Sequence, residues 1–329
     1  MNLLTDISGL RVGHAHDAKV ISGVTVVIFD KANVASGVTR GGAPGGRDTT
    51  LLEPEMTVES LDAVVLGGGS LFGLDAAGGV VSYLRAQGRG VPVGNVNIPI
   101  VTQAIVFDMI NGGDKNWGRM PPYWEMGWKA AERAVGGEFP LGTIGGGYGA
   151  STVTFKGGLG SASTTITTGH RVAALTVVNA VGSATIGDGP HFWAGGCEVG
   201  DEFGGQGLPA QVPADALAMR IKGGRQPSTT ISLIVTDAKL SKSQVKRLAM
   251  MADDGLARAI RPAHAPMDGD TVIAVAIPDK PVADPVIDLT ELGMAAADCL
   301  ARAIARGVFE ATLPGESWMG PPAYRDFYP

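Results

Sequence analysis

Cysteine is nearly absent. The 329 residues contain two, Cys197 and Cys299, which form no metal motif and give no reason to expect a disulfide. Charge is also sparse at 18 % of residues, and the formal net charge of −6 argues against nucleic acid as a partner. No segment approaches the roughly 18 uninterrupted apolar residues of a membrane helix. The opening MNLLTDISGLRVGH lacks the basic head and apolar core of a signal sequence, so no membrane partner and a cytoplasmic location are expected. No serine satisfies the G-x-S-x-G pattern of a hydrolase elbow. The five histidines, with His14 and His16 as their only cluster, form no HExxH-like pattern and read as strand or turn residues. Cys197, in GGCEVG, has no neighbour that would activate it as a nucleophile.

Glycine is what the chain has in excess: 49 residues, about twice the usual share of roughly 7 %. It clusters in GGAPGG, LGGGS, IGGGYG and KGGLGS without a repeat period. Clusters of that kind between apolar strands predict a tightly packed interior with close backbone crossings. Short β-branched segments at 24–30, 62–68, 172–181, 231–237 and 271–278 read as strands, several apolar on both faces and therefore covered on both sides. Helices are expected after LGGGS through LFGLDAAGGVVSYLRAQ, over SKSQVKRLAMMADDGLARAI with a capping box at Ser241 and Gln244, and over TELGMAAADCLARAIARGVFEA. Layered α and β with covered sheets fits this order, and no stretch reads as a linker, so one domain over 1–329 is expected.

Two segments invite a chemical reading. Gly67, Gly69 and Gly73 in LGGGSLFG follow a strand and precede a helix, close to a dinucleotide fingerprint. The acidic residue expected roughly 20 positions later is missing, so a tight turn packed against another backbone is the stronger reading and a nucleotide-binding module the weaker. The second segment is PSTTISLIVTD, where Ser228, Thr229 and Thr230 stand at the mouth of a buried strand. Threonine is at home in a strand. An internal threonine can also attack the carbonyl before it, move the acyl group from nitrogen to oxygen and, after hydrolysis, become a chain end. Its new α-amine, with an ordinary pKa of roughly 7.7–8.0, then serves as base for the hydroxyl on the same residue.

Nearly end to end, the chain resembles the self-processing amidohydrolases that include L-aminopeptidase/D-esterase, β-peptidyl aminopeptidases and the nylon-oligomer (6-aminohexanoate-oligomer) hydrolase. The resemblance is carried by DISGLRVGHA, RGGAPGGRDTTLL, LGGGSLFGLDAAGGV, IPIVTQAIVFD, KGGLGSAS, VVNAVG, STTISLIVTD, MDGDTVIAVA and the closing PAYRDFYP. It implies a four-layer αββα sandwich of the Ntn-hydrolase type. It also implies self-cleavage between Ser228 and Thr229 into an α chain 1–228 and a β chain 229–329, with Thr229 as nucleophile. By the same resemblance Asn179 binds the oxyanion, and Asp268 and Asp270 orient the nucleophile. Read alone, Asn179 is a turn residue ending a strand, and the aspartates an Asp-Gly turn.

The supporting lysine of relatives falls at Thr154 in an ungapped match, and Lys156, two residues on, takes its place only with a shifted loop. A tyrosine that lines the site in some relatives corresponds to Phe107, and Tyr148 is a candidate to line the cleft. No metal or organic cofactor is expected. The implied substrates are small peptides, amino-acid amides or linear 6-aminohexanoate oligomers, and the implied assembly is a homotetramer. Acyl transfer of the ornithine acetyltransferase kind is the alternative chemistry.

Overall fold

A computed structural model describes residues 1–224 and 226–329. Its strands, in chain order, are β1 (Leu10–Asp17), β2 (Ser22–Thr39), β3 (Gly46–Arg47), β4 (Ser60–Gly67), β5 (Val91–Val93), β6 (Val96–Ile98), β7 (Val101–Ile105), β8 (Leu159–Thr165), β9 (Arg171–Asn179), β10 (Thr229–Ala238) and β11 (Thr271–Lys280). The helices are α1 (Ser70–Gly73), α2 (Ala76–Ala86), α3 (Tyr123–Glu132), α4 (Lys242–Ala252), α5 (Asp254–Ala259) and α6 (Pro285–Phe309).

Strand β2 is long enough to serve two sheets. Its first half pairs with β1 and β4, and its second half pairs with β11 across Val34–Thr39. A register break between Ile28 and Asn33 separates the halves. The hydrogen-bonded path β3-β7-β4-β2-β11-β10-β9-β8, with β1 against β2, is therefore one sheet folded over on itself. Side-chain alternation along β2 follows the fold. Val27, Phe29 and Ala35 point into an inner core shared with Val64 and Leu66 of β4 and with Leu175, Val177, Leu233, Val235 and Ile273. Val24, Val26 and Ile28 face α2 and α3 on one outer side. Val34 and Val38 pack on the opposite outer core, built from α4, α5 and α6. The order from outside to outside is helix, sheet, sheet, helix. The expected αββα sandwich is what forms, with its two sheets joined through one strand.

Each strand read from the sequence is present, though β2 and β10 run further than their apolar centres suggested. Two helices are divided: the segment after LGGGS into α1 and α2, and the segment after Ser241 into α4 and α5 at Asp253. The capping box is formed, with the Ser241 backbone N–H donating to Gln244 Oε1 at 2.8 Å. Helix α6 starts earlier than expected because Asp284 caps Val286 and Ile287, with Pro285 in the first turn.

The glycine excess answers to close crossings at particular places. A Cβ on Gly160 in β8 would stand 1.8 Å from the Ala303 carbonyl oxygen, so α6 can lie on β8 only where the side chain is missing. At Gly69, φ is +85° and a Cβ would fall 2.2 Å from the Tyr123 ring. Asp108 accepts the Gly69 N–H at 2.7 Å, and its carboxylate stands against Gly68. Side chains of the protein itself thus occupy the space a pyrophosphate would need in LGGGSLFG, and packing accounts for this motif. Among the described residues no helix is long and apolar enough to cross a membrane.

Candidate active site

Thr229 is the first residue of β10, and its partner across the antiparallel ladder is Asn179, the last residue of β9. Directly opposed residues present their side chains on the same face, here the inner face that carries Ile231 and Val177. Thr229 is only 3 % exposed. Its hydroxyl donates to the carbonyl oxygen of Ser228, across the very peptide bond that precedes it. The Gly269 N–H donates to the same Ser228 oxygen at 3.0 Å, and Ser228 N–H donates to Met267 O at 3.1 Å. The Ser228 carbonyl is thus polarised by a backbone donor, with a hydroxyl oxygen beside it.

The turn MDGD lies directly under this bond because Ser228 bridges in parallel to Asp268 three residues before the β10–β11 ladder begins at Ile231 and Thr271. Asp270 Oδ1 accepts the Thr230 N–H at 2.8 Å, and its Oδ2 accepts from His264 N at 2.9 Å and pairs with His264 Nδ1 at 3.0 Å. His264 holds a left-handed φ of +56°, a strained conformation for a side chain of this kind. Its hydrogen bond to Asp270 raises its pKa against the opposing effect of burial. Asp268 accepts from Val181 N at 3.3 Å and Ala265 N at 3.2 Å. Burial, and then the charge of Asp270, push Asp268 up from 3.8 to about 7. In the continuous chain neither carboxylate bonds to the Thr229 hydroxyl; Asp270 holds the backbone just after it through Thr230 N–H, and Asp268 holds the backbone beyond Asn179 through Val181 N–H. The RGGAPGG loop completes the floor, with Ala43 N–H donating to Asp268 O at 2.7 Å and Arg40 N–H to Asp270 O at 3.0 Å.

Asn179 is held from three directions. Its Oδ1 accepts from Ser151 N at 3.0 Å and Lys222 Nζ at 3.1 Å, and its Nδ2 donates to Phe107 O at 2.9 Å. Phe107 therefore meets the site through its carbonyl rather than through a phenol-like group. Lys156 is fully buried, donating to Gly147 O at 3.0 Å and Gly157 O at 2.8 Å, with its ammonium 5.1 Å from the Trp318 ring. Burial pulls both Lys156 and Lys222 down to about 7. The backbone of Lys156 bridges to Ser151, next to Asn179, but its ammonium makes no hydrogen bond to Asn179 or Thr229 among the described residues. Tyr148 stacks on His16 with centroids 4.3 Å apart and donates to Pro314 O, so its hydroxyl is committed to a loop.

Sequence reading missed Lys222, His264 and the Gly269 N–H. His264 carried a signal, standing four residues before Asp268 in HAPMDGD. Lys222 carried none: a lysine in IKGG reads as an exposed loop residue, yet it is buried.

The sequence matches the description of peptidase family S58 over residues 2–316. It is 41 % identical to an uncharacterized aminopeptidase of Mycobacterium tuberculosis, with 100 % of this chain and 98 % of the relative covered. It is 30 % identical to a 6-aminohexanoate-oligomer endohydrolase of Paenarthrobacter ureafaciens, over 82 % of this chain and 73 % of that one. Among solved structures, the L-aminopeptidase D-Ala-esterase/amidase of Ochrobactrum anthropi, described as a variant of the Ntn hydrolase fold, superimposes with a TM-score of 0.67 at 20 % identity, covering 94 % of this chain and 86 % of its own. Fold, glycine motifs and end-to-end similarity agree: the chain belongs to peptidase family S58, whose members hydrolyse amide bonds.

Proposed function

We propose that this amidohydrolase cuts itself between Ser228 and Thr229, and that Thr229, as the first residue of the chain 229–329, is its nucleophile. The observation that carries this reading is the hydroxyl of Thr229 lying on the Ser228 carbonyl while Gly269 N–H donates to that same oxygen. In the first step Thr229 Oγ1 attacks the Ser228 carbonyl carbon, and Gly269 N–H takes the developing oxyanion. The C–N bond breaks, the hydroxyl proton passes to the leaving nitrogen, and an ester joins Ser228 to Thr229. Water hydrolyses the ester, leaving a carboxylate on Ser228 and a free amine on Thr229.

In turnover that amine accepts the hydroxyl proton as Oγ1 attacks the substrate amide. The leaving amine takes the proton, and water releases the acid from the acyl-enzyme. Asn179, opposite Thr229, offers the N–H of its carboxamide to the oxyanion. Asp270 and Asp268 fix the backbone around the new chain end and stand ready to receive its ammonium. Lys156 supports the loop that carries Ser151. The substrates are small peptides, amino-acid amides or 6-aminohexanoate oligomers, in keeping with the names of its relatives. The cut leaves β10 paired to β9 and β11 paired to β2, so the two chains stay together through ladders within one sheet. A homotetramer of such pairs belongs to the same reading, and the β5–β6 hairpin offers exposed Val91, Val93, Val96 and Ile98 for it.

The test is the intact mass of freshly purified protein beside a Thr229→Ala variant. The wild type is expected as two fragments, 1–228 and 229–329, and the variant as one inactive chain. A fully active, uncut wild type would sink the proposal.

A further inference from the structure

We propose that Lys222 is a positioning residue of this site, holding the Asn179 carboxamide so that its Nδ2–H faces the reacting carbonyl; this rests on the reading of Thr229 as nucleophile. Lys222 lies in the segment that leads to the cut, but its side chain turns inward and is buried. Its ammonium lies within hydrogen-bond distance of Ser151 O at 2.9 Å, Ser151 Oγ at 3.3 Å, Asn179 Oδ1 at 3.1 Å and Asn179 O at 3.4 Å. Three of these four atoms are carbonyl oxygens, which only accept, and a hydroxyl can accept as well. The pocket is therefore built for a donor with several protons. The backbone agrees: Lys222 N–H donates to Val181 O at 2.9 Å, and Val181 N–H in turn reaches Asp268.

The consequence falls on Asn179. A carboxamide presents two nearly isosteric ends, and only its partners decide which faces the substrate. Here Oδ1 meets two donors, Ser151 N–H and Lys222, while Nδ2 meets the Phe107 carbonyl. A flipped amide would set its NH2 against an ammonium and a backbone N–H. The observed orientation leaves the second Nδ2 proton without a hydrogen bond among the described residues, on the face shared with Thr229. A donor at Oδ1, strongest when Lys222 is protonated, also draws density from nitrogen and makes the remaining N–H a stronger donor. Lys222 thereby acts on the oxyanion through Asn179, without touching substrate.

A double-mutant cycle on alanine p-nitroanilide tests this in the self-cleaved enzyme. Asn179→Ala is expected to lower kcat by about 10²–10³, and Lys222→Met by about tenfold to a hundredfold with KM nearly unchanged. If Lys222 works through Asn179, adding Lys222→Met to Asn179→Ala changes kcat by less than about twofold. Lys222→Gln, which keeps a neutral donor, is expected to recover part of the loss and serves as the second variant if Lys222→Met does not fold. Full additivity, or failure of both variants to fold, overturns the proposal and makes Lys222 a structural strut. The two levels of failure separate: additivity in an enzyme cut before Thr229 removes the role of Lys222 alone, whereas turnover by an uncut wild type removes the nucleophile as well.

Discussion

At the scale of single residues, burial works against the ordinary charges of Asp268, Lys156 and Lys222. Asp268 is the clearest case, because burial and the neighbouring Asp270 charge favour its protonated form. Its folded pKa, about 7, lies above the ordinary 3.8. The folded chain therefore keeps a proton that the unfolded chain has released. The resulting stability is fully present below 3.8 and is lost as pH rises through about 7. The uncut Thr229→Ala chain shows this without the complication of a new ammonium. Adding Asp268→Asn to that chain should shift its melting temperature, relative to the Thr229→Ala parent, increasingly in favour of Asn between about pH 4 and pH 7. A difference that stays flat over that range would show that Asp268 is charged throughout.

The residue scale is also where sequence reading reached least far. Thr229, Asn179, Asp268 and Asp270 could be singled out only because their segments resemble a family; alone, each has an ordinary role in a strand or turn. Lys222 and the Gly269 N–H stayed hidden for a physical reason. One is a long side chain that folds back into the interior from a polar loop. The other is a backbone donor, which has no residue type to betray it.

At the scale of elements, the legible features were those written in local periodicity and chemistry. The capping box at Ser241 and Gln244 and the apolar strands 231–237 and 271–278 follow from rules that act over a few residues. What escaped depends on partners far away in the chain. Strand β1 mixes polar and apolar residues, and it is a strand because the first half of β2 offers it a full ladder from Leu10 to Asp17. Strand β8, LGSASTT, is small and polar, and it exists because α6 lies directly on it. Gly160 is the hinge of that contact, since a Cβ would stand 1.8 Å from Ala303 O and 2.6 Å from Gly307 N. Gly160→Ala is expected to push α6 from the sheet and to destabilise the protein by about 1–3 kcal/mol. Denaturant unfolding of the variant measures this, and an unchanged midpoint would mean that α6 can shift without loss.

At the scale of the molecule, the glycine excess, the covered strands and the layered order already pointed to a dry sandwich. The folding of one sheet over on itself did not show in the sequence, because β2 reads as a strand only over its apolar part and its turn from one outer core to the other is set by the helices on each side. This architecture matters for the chemistry. Cutting before β10 frees a chain end at the edge of the inner core, where Asn179 and the Asp268–Asp270 turn already stand, and no strand has to leave its neighbours. The central claim is that the hydroxyl freed there carries the acyl group. The most direct measurement is to react the purified enzyme briefly with a slowly deacylating amino-acid ester, quench in acid and weigh both fragments, then locate the added mass by fragmentation. The expected result is that only the 229–329 chain gains the acyl group, and that it sits on Thr229; acylation of the 1–228 chain, or of any other residue, would contradict it.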